Sequence, residues 1–294
     1  MGIQFGEVIT AMVTPFDAEE NIDYAATEQL VEHLIQNGTD SIVVAGTTGE
    51  SPTLTSEEKV ALFKHVVQYV DGRVPVIAGT GSNNTRESIE LTIRAEQTGV
   101  DGIMIVAPYY NRPCQRGLYE HFKQIAYATK LPIMLYNIPG RTGVHVTVET
   151  IIELSKIDNI VCLKDATEKL DDMARIISET EESFKVYTGD DDLTLPSLAV
   201  GADGIVSVSA HIVGNEMKEM ISLYKDGRVK EASKLHRQLL PTFQKVFSAP
   251  SPTPVKAMLQ IQGLSTGSVR LPLVPLTDHE KSELVQYMKS KQLI

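Results

Sequence analysis

The segment Ile160-Val161-Cys162-Leu163-Lys164-Asp165 is a β-branched run that ends on a lysine. Side chains alternate along a strand, so Cys162 and Lys164 share one face and Leu163 takes the other. If that face is the inside of a barrel, Lys164 is a cation at the top of a packed apolar lumen. Two uses follow. The amine can snorkel out of the strand end, or pair with Asp165 or the acidic run beyond residue 189. Alternatively it is a nucleophile. An unperturbed lysine is neutral in only about one molecule in 2500 at pH 7, and a low-dielectric setting lowers its pKa, which is how a Schiff-base lysine is made.

Three other segments carry suitable partners. Leu135-Tyr136-Asn137-Ile138-Pro139-Gly140-Arg141 ends the preceding strand. Tyr136 offers a phenol that moves protons, and Arg141 a guanidinium fork that suits a carboxylate. Gly46-Thr47-Thr48-Gly49-Glu50-Ser51 offers two hydroxyls and approachable backbone N–H groups, a cradle for a small carboxylate, although such loops are also ordinary turn chemistry. Gly189-Asp190-Asp191-Asp192 could hold Mg²⁺. The plainer expectation is that one aspartate caps a helix starting near Leu193 while the others sit in its first turn. The same run argues against a phosphorylated substrate, because the last two loops are the usual phosphate site of a barrel. Tyr109 and Tyr110 read as packing aromatics, and Cys162 as a small core residue.

The elements that would position these groups alternate along the chain. Strand-like runs are expected at Glu7–Val13, Ser41–Val44, Pro75–Gly79, Gly102–Val106, Pro132–Tyr136, Ile160–Asp165, Lys185–Gly189 and Gly204–Val208. Between them lie stretches of helical period, such as Leu30, Val31, Leu34 and Ile35 ending at Gly38. Ser56-Glu57-Glu58 opens another helix in capping style, with Lys59 one residue short of a full box. Strict alternation means a parallel sheet covered by helices, and eight units favour a closed (β/α)₈ TIM barrel. A doubly wound sheet is the alternative, but no Gly-x-Gly-x-x-Gly follows the first strand. The alternation stops near Asp226, which divides the chain into a barrel, residues 1–226, and a C-terminal helical appendage, residues 227–294. Arg228–Val246 and Asp278–Ser290 read as its helices. The Pro-rich stretch Ala249–Pro254 between them reads as an ordered, stiff crossing.

Composition narrows the partners. The 294 residues carry 27 Lys+Arg against 38 Asp+Glu, a formal charge of −11. No basic block appears, so nucleic acid and anionic membrane are not expected partners. Two cysteines make neither a disulfide framework nor a zinc site, and the seven histidines are scattered. Met1 to Gly6 lacks the basic start and apolar run of a signal peptide, and Gly6 fails the myristoylation pattern. The expectation is a cytoplasmic, metal-independent protein.

Taken together, Gly46–Ser51, Pro108-Tyr109-Tyr110-Asn111-Arg112-Pro113, Tyr136–Gly143 and Leu163-Lys164-Asp165-Ala166-Thr167 resemble successive signatures of the dihydrodipicolinate synthase family. The resemblance runs the whole chain, through Pro250–Lys256 and Arg270-Leu271-Pro272-Leu273. Gly-Thr-Thr-Gly-Glu and Tyr-Asn-x-Pro are shared with sialic-acid lyases and sugar-acid aldolases, whereas Arg141 and Tyr110 point more narrowly to the synthases. The resemblance implies that pyruvate condenses with L-aspartate 4-semialdehyde to give 4-hydroxy-tetrahydrodipicolinate, the committed step of diaminopimelate and lysine biosynthesis. It implies that Lys164 forms the Schiff base, while Thr48 and nearby backbone hold the pyruvate carboxylate, with Val206 and Gly189 beside it. Tyr136, Thr47 and Tyr110 match a proton-relay triad whose last tyrosine comes from a neighbouring subunit, so a homo-oligomer is implied, at least a dimer and commonly a tetramer. Arg141 matches the residue that receives the aldehyde substrate. No metal or organic cofactor is implied.

Ser51, Asn83, Glu87 and Tyr109 match a lysine-inhibition cleft at the dimer interface. Strongly inhibited members often carry histidines or aromatics where this chain has Ser56 and Lys59, so weak or absent inhibition is expected. Two other readings stay open at this point: an aldolase acting on a sugar acid, and a non-catalytic barrel serving as a scaffold or ligand sensor.

Overall fold

The computed structural model describes residues 5–294, so most of the Met1–Gly6 reading lies outside the described residues. The strands are β1 Val8–Ala11, β2 Ser41–Val44, β3 Val76–Gly79, β4 Gly102–Val106, β5 Ile133–Asn137, β6 Ile160–Asp165, β7 Lys185–Thr188 and β8 Gly204–Ser207. Each pairs in parallel with the next, and β1 closes on β8. This is a TIM barrel. Helices α1 Tyr24–Gln36, α2 Ser56–Val70, α3 Thr85–Glu96 and α4 Gln115–Ala126 cover its first half. The short α5 Pro139–Thr142 then precedes α6 Val148–Leu154, α7 Leu170–Glu179, α8 Thr194–Ala199 and α9 Ala210–Lys225. Three further helices follow: α10 Val229–Lys245, α11 Thr253–Ile261 and α12 Asp278–Ser290.

The period of two along each strand sorts its side chains into two cores. Ile9, Val43, Ile77, Met104, Cys162 and Val206 fill the lumen. Val8, Ile42, Val44, Ile103, Leu135 and Leu163 pack outward against the helices. Cys162 and Leu163 therefore divide as the alternation predicts, and Lys164 stands above Cys162 on the lumen side.

Local signals explain several helix ends. The Asp23 carboxylate accepts from the Ala26 N–H at 2.9 Å to start α1, and Gly38, at φ +86°, ends it in the left-handed region that favours glycine. Two expectations are corrected. The N-cap of α2 is Thr55, not Ser56, and with Glu58 as its third residue the capping box is complete. The Pro-rich stretch is ordered but is not all crossing: Pro252 is the N-cap of α11, whose first turn takes Pro254 at no cost because its N–H would be unpaired anyway. Seven of the nine α11 residues are buried, Lys256 among them. Among the described residues no helix is long and apolar enough to cross a membrane, and Cys114 and Cys162 are both free thiols.

Candidate active site

The ends of β5 and β6 set the centre of the site. Tyr136 and Lys164 are direct partners in the ladder between them, so both side chains enter the lumen at one level. The Lys164 ammonium lies 4.2 Å from the centroid of the Tyr136 ring. Only 5% of Lys164 is exposed. Burial pushes its pKa down to about 8, with Arg141 adding to the fall and Asp190 and Asp191 opposing it. At pH 7 roughly one molecule in ten then holds a neutral amine, about two-hundredfold more than an exposed lysine would. Burial also raises the Tyr136 phenol well above its ordinary value, against an opposing hydrogen bond from Thr47. Burial thus favours the protonated phenol of Tyr136.

The residue after Tyr136 is structural in a way its type foretells. Buried Asn137 gives its amide N–H to the Val146 carbonyl at 3.0 Å and accepts the Val146 N–H at 3.1 Å, pairing like a peptide group. That staple closes the loop carrying α5 and holds Arg141 at the barrel mouth.

The loop after β2 is tightly folded. Glu50 N–H donates to Thr47 O at 3.1 Å, Ser51 N–H to Gly46 O at 3.2 Å, and the Thr14 hydroxyl to Gly49 O at 2.7 Å. Thr48 is buried. Glu50, in the left-handed region at φ 56°, turns its carboxylate away from the lumen to meet α11. There the Lys256 ammonium donates to Glu50 Oε1 at 3.1 Å, Thr14 O at 3.0 Å and Ser268 O at 2.5 Å, while Arg270 N–H takes Glu50 Oε2 at 2.9 Å. Helix α11 and the segment after it thus hold the β2 loop from behind. Sequence reasoning missed this pair. Its one signal was a lysine inside the apolar run Val255 to Leu259.

The three aspartates after β7 part ways. Asp191, expected as a helix cap at most, is buried. Its carboxylate accepts the Ser207 hydroxyl at 2.5 Å, the Ser209 N–H at 2.9 Å and the Ser209 hydroxyl at 2.7 Å, tying the β7 loop to the end of β8. No aspartate caps α8 with its side chain; the 3₁₀ turn Asp191–Leu193 leads into it instead. Asp190 faces the cavity above Lys164. Gly189 passes so close that a Cβ there would fall 2.9 Å from Ala166 Cβ and 2.9 Å from Lys164 Cε, so a larger residue would push on the lysine.

A cavity of about 430 Å³ gathers Lys164, Thr47, Thr48, Tyr136, Arg141 and Gly189, and its outer wall includes Gln244 and Phe247 from the end of α10. Val206 forms the lumen floor on β8, fully buried. Tyr110 is not brought in: it is 89% exposed, at φ 75°, on the rim. A second cavity of about 270 Å³ adjoins the first across Thr47, Tyr136 and Arg141, and holds Ser51, Lys59 and Tyr109. Asn83 and Glu87 are not among its lining residues, although both act on Tyr109, which is. Lys59 lines this cavity, and burial pushes its pKa down while the charge of Glu87 pulls it up. Burial, then Glu87, raises the Tyr109 phenol.

Comparisons with known proteins agree with this geometry. The sequence pattern of the Dihydrodipicolinate synthetase family matches residues 4–291. The 4-hydroxy-tetrahydrodipicolinate synthases of Oceanobacillus iheyensis and Bacillus subtilis are 58% and 56% identical to this chain, each over 96% of it and over 96% and 98% of their own lengths. The crystal structure of a dihydrodipicolinate synthase from Bacillus anthracis superposes with a TM-score of 0.97 at 60% identity, covering 98% of this chain and 99% of that one. A barrel built this way, with its lysine at the end of β6 and its family pattern unbroken from end to end, belongs to the Dihydrodipicolinate synthetase family.

Proposed function

We infer that the chain is a lyase that condenses pyruvate with L-aspartate 4-semialdehyde to give 4-hydroxy-tetrahydrodipicolinate, in diaminopimelate and lysine biosynthesis. The observation that carries it is the buried, pKa-lowered Lys164 against the Tyr136 ring, in a cavity with one arginine at its mouth. Neutral Lys164 attacks the pyruvate ketone, and loss of water leaves an iminium that draws electrons from the methyl carbon. Thr48 and the loop N–H groups receive the pyruvate carboxylate, over Val206 and beside Gly189. Tyr136, with Thr47, passes the protons that carbinolamine formation and dehydration require. The enamine then attacks the aldehyde, whose carboxylate Arg141 receives. The covalent lysine does the work of a cofactor, so none is required, and the reaction suits a cytoplasmic enzyme.

Tyr110 completes the relay from a second copy of the chain. Its exposure and its backbone, held in the left-handed region with the N–H on Thr142 O at 3.2 Å, support that role. The minimum active unit is then a dimer. A turnover assay with pyruvate and L-aspartate 4-semialdehyde tests the substrate pair. Product formation that collapses in Arg141→Ala is expected; turnover of sugar aldehydes that survives that change contradicts it. Sedimentation of a fully active monomer contradicts the borrowed tyrosine.

A further inference from the structure

Asp190 has no task in the steps above, yet it lines the lysine cavity; of the other two aspartates there, Asp191 has its carboxylate taken up by Ser207 and Ser209, and Asp192 is exposed. The loop around it is fixed: its N–H donates to the Thr188 hydroxyl at 3.2 Å, its carbonyl accepts the Leu193 N–H at 3.0 Å, and Asp191 anchors the next residue to β8. Its Oδ2 atom is buried and has no hydrogen-bond partner. A buried carboxylate oxygen without a partner in a rigid loop is costly to keep, and such a group calls for a reason.

We propose that Asp190 is the base of the imine-exchange step, taking protons from the α-ammonium of the aldehyde substrate so that its nitrogen displaces Lys164. The inference rests on the condensation inferred above. After carbon–carbon bond formation the product is still an iminium on Lys164. The incoming nitrogen arrives as an ammonium, with no lone pair. Asp190 takes one proton. The freed pair bonds to the iminium carbon, and the C=N π pair moves to Lys164 Nζ. The carboxyl passes its proton to Nζ and takes a second from the new ring nitrogen. The carbon–Nζ bond then breaks with its pair on Nζ, as the ring nitrogen's pair closes the new C=N bond. Lys164 departs as a neutral amine, the ring as a protonated imine, and one proton stays on Asp190 for solvent.

The neighbouring charges suit this task. Burial lifts the Asp190 carboxyl to about 7, with Lys164 pulling it down and Glu168, Asp192 and Asp191 pushing it up. A base near the working pH both accepts and returns a proton. Tyr136, whose phenol burial favours in its protonated form, is the poorer proton acceptor of the two. Arg141 lines the same cavity, so the carboxylate and the ammonium of an amino-acid head group each meet a charge of opposite sign there.

The test compares wild type, Asp190→Asn and Asp190→Glu. Borohydride reduction with pyruvate alone is expected to label Lys164 in all three within about twofold; failure of the wild type to be labelled would sink the condensation reading, not this one. Turnover of Asp190→Asn is expected to fall about a hundredfold or more, with partial recovery in Asp190→Glu. Reduction of Asp190→Asn with both substrates is expected to trap the condensed adduct on Lys164, heavier than the pyruvate adduct. Turnover of Asp190→Asn within threefold of wild type overturns the proposal. So does loss of pyruvate labelling in step with turnover, or absence of the condensed adduct.

Discussion

Two regions of this molecule each bury a lysine, and burial pushes both amines down to about 8. Lys256, on α11, spends its three N–H bonds on the Glu50 carboxylate and two carbonyls, with Phe16 beneath it at 4.4 Å. Lys164, on β6, makes no hydrogen bond among the described residues; it has an aromatic face and an open cavity. Burial makes a lysine easy to deprotonate in either place. What separates a nucleophile from a fastener is whether the lone pair, once formed, has anywhere to go. The barrel places the free lysine at the C-terminal ends of its strands, where loops leave space. The junction with the C-terminal helices fills the space around the other.

Several substitutions would break or sharpen that contrast. Removing the nucleophile has the largest effect: Lys164→Ala should cut turnover by at least about 10³-fold with little loss of stability, because a cavity group that makes no bonds leaves none unmade. The same change at the fastener should do the reverse. Lys256→Met leaves Glu50 buried with its charge uncompensated, and chemical denaturation should show a loss of about 3–5 kcal/mol. Adding Glu50→Gln should return a good part of it. Equal stabilities for the single and double variants would show that the pair is not a unit.

Arg141→Ala tests the electrostatics of the free lysine. Aldehyde turnover should drop by about a hundredfold, by the loss of a charged hydrogen-bond partner. Arg141 also depresses the Lys164 pKa. Without it the amine holds its proton to higher pH, so the acid limb of pyruvate labelling should move upward from about 8. A limb that stays in place contradicts the assigned cause.

The smallest effect concerns the second cavity. Inward-facing Lys59 meets a ligand that is itself doubly cationic, and repulsion of about 1 kcal/mol or more should keep half-inhibition by lysine at about 1 mM or above. The charge of Glu87 offsets part of that repulsion. Activity titrated with lysine at saturating pyruvate measures this, and half-inhibition well below 1 mM would refute it.

The sequence was most legible where the physics is local. β2, β4 and β6 fall at the expected residues, since each is a short β-branched run flanked by breakers. β1 is shorter than the expected Glu7–Val13 because the ladder to β2 ends at Ala11 and the chain turns into its loop. Lys164, Tyr136, Arg141 and Thr48 were readable because strand alternation and the barrel rule place them without tertiary detail. The rest was not. Asp190 and Asp191 are identical neighbours, and only the positions of Ser207 and Ser209 decide which becomes the anchor. Glu50 and Lys256 lie 206 residues apart, and no local pattern joins them. Gln244 and Phe247 reach the cavity because α10 folds back over the barrel mouth, a matter of packing alone.

The most direct measurement is peptide mapping after borohydride reduction in the presence of pyruvate. Both buried lysines share the same lowered pKa, so the reaction asks whether reactivity follows pKa or access. This account predicts one pyruvyl adduct per chain, on Lys164, with inactivation in step and Lys256 unmodified. Labelling of Lys256, labelling spread over surface lysines, or no label while activity persists would contradict it.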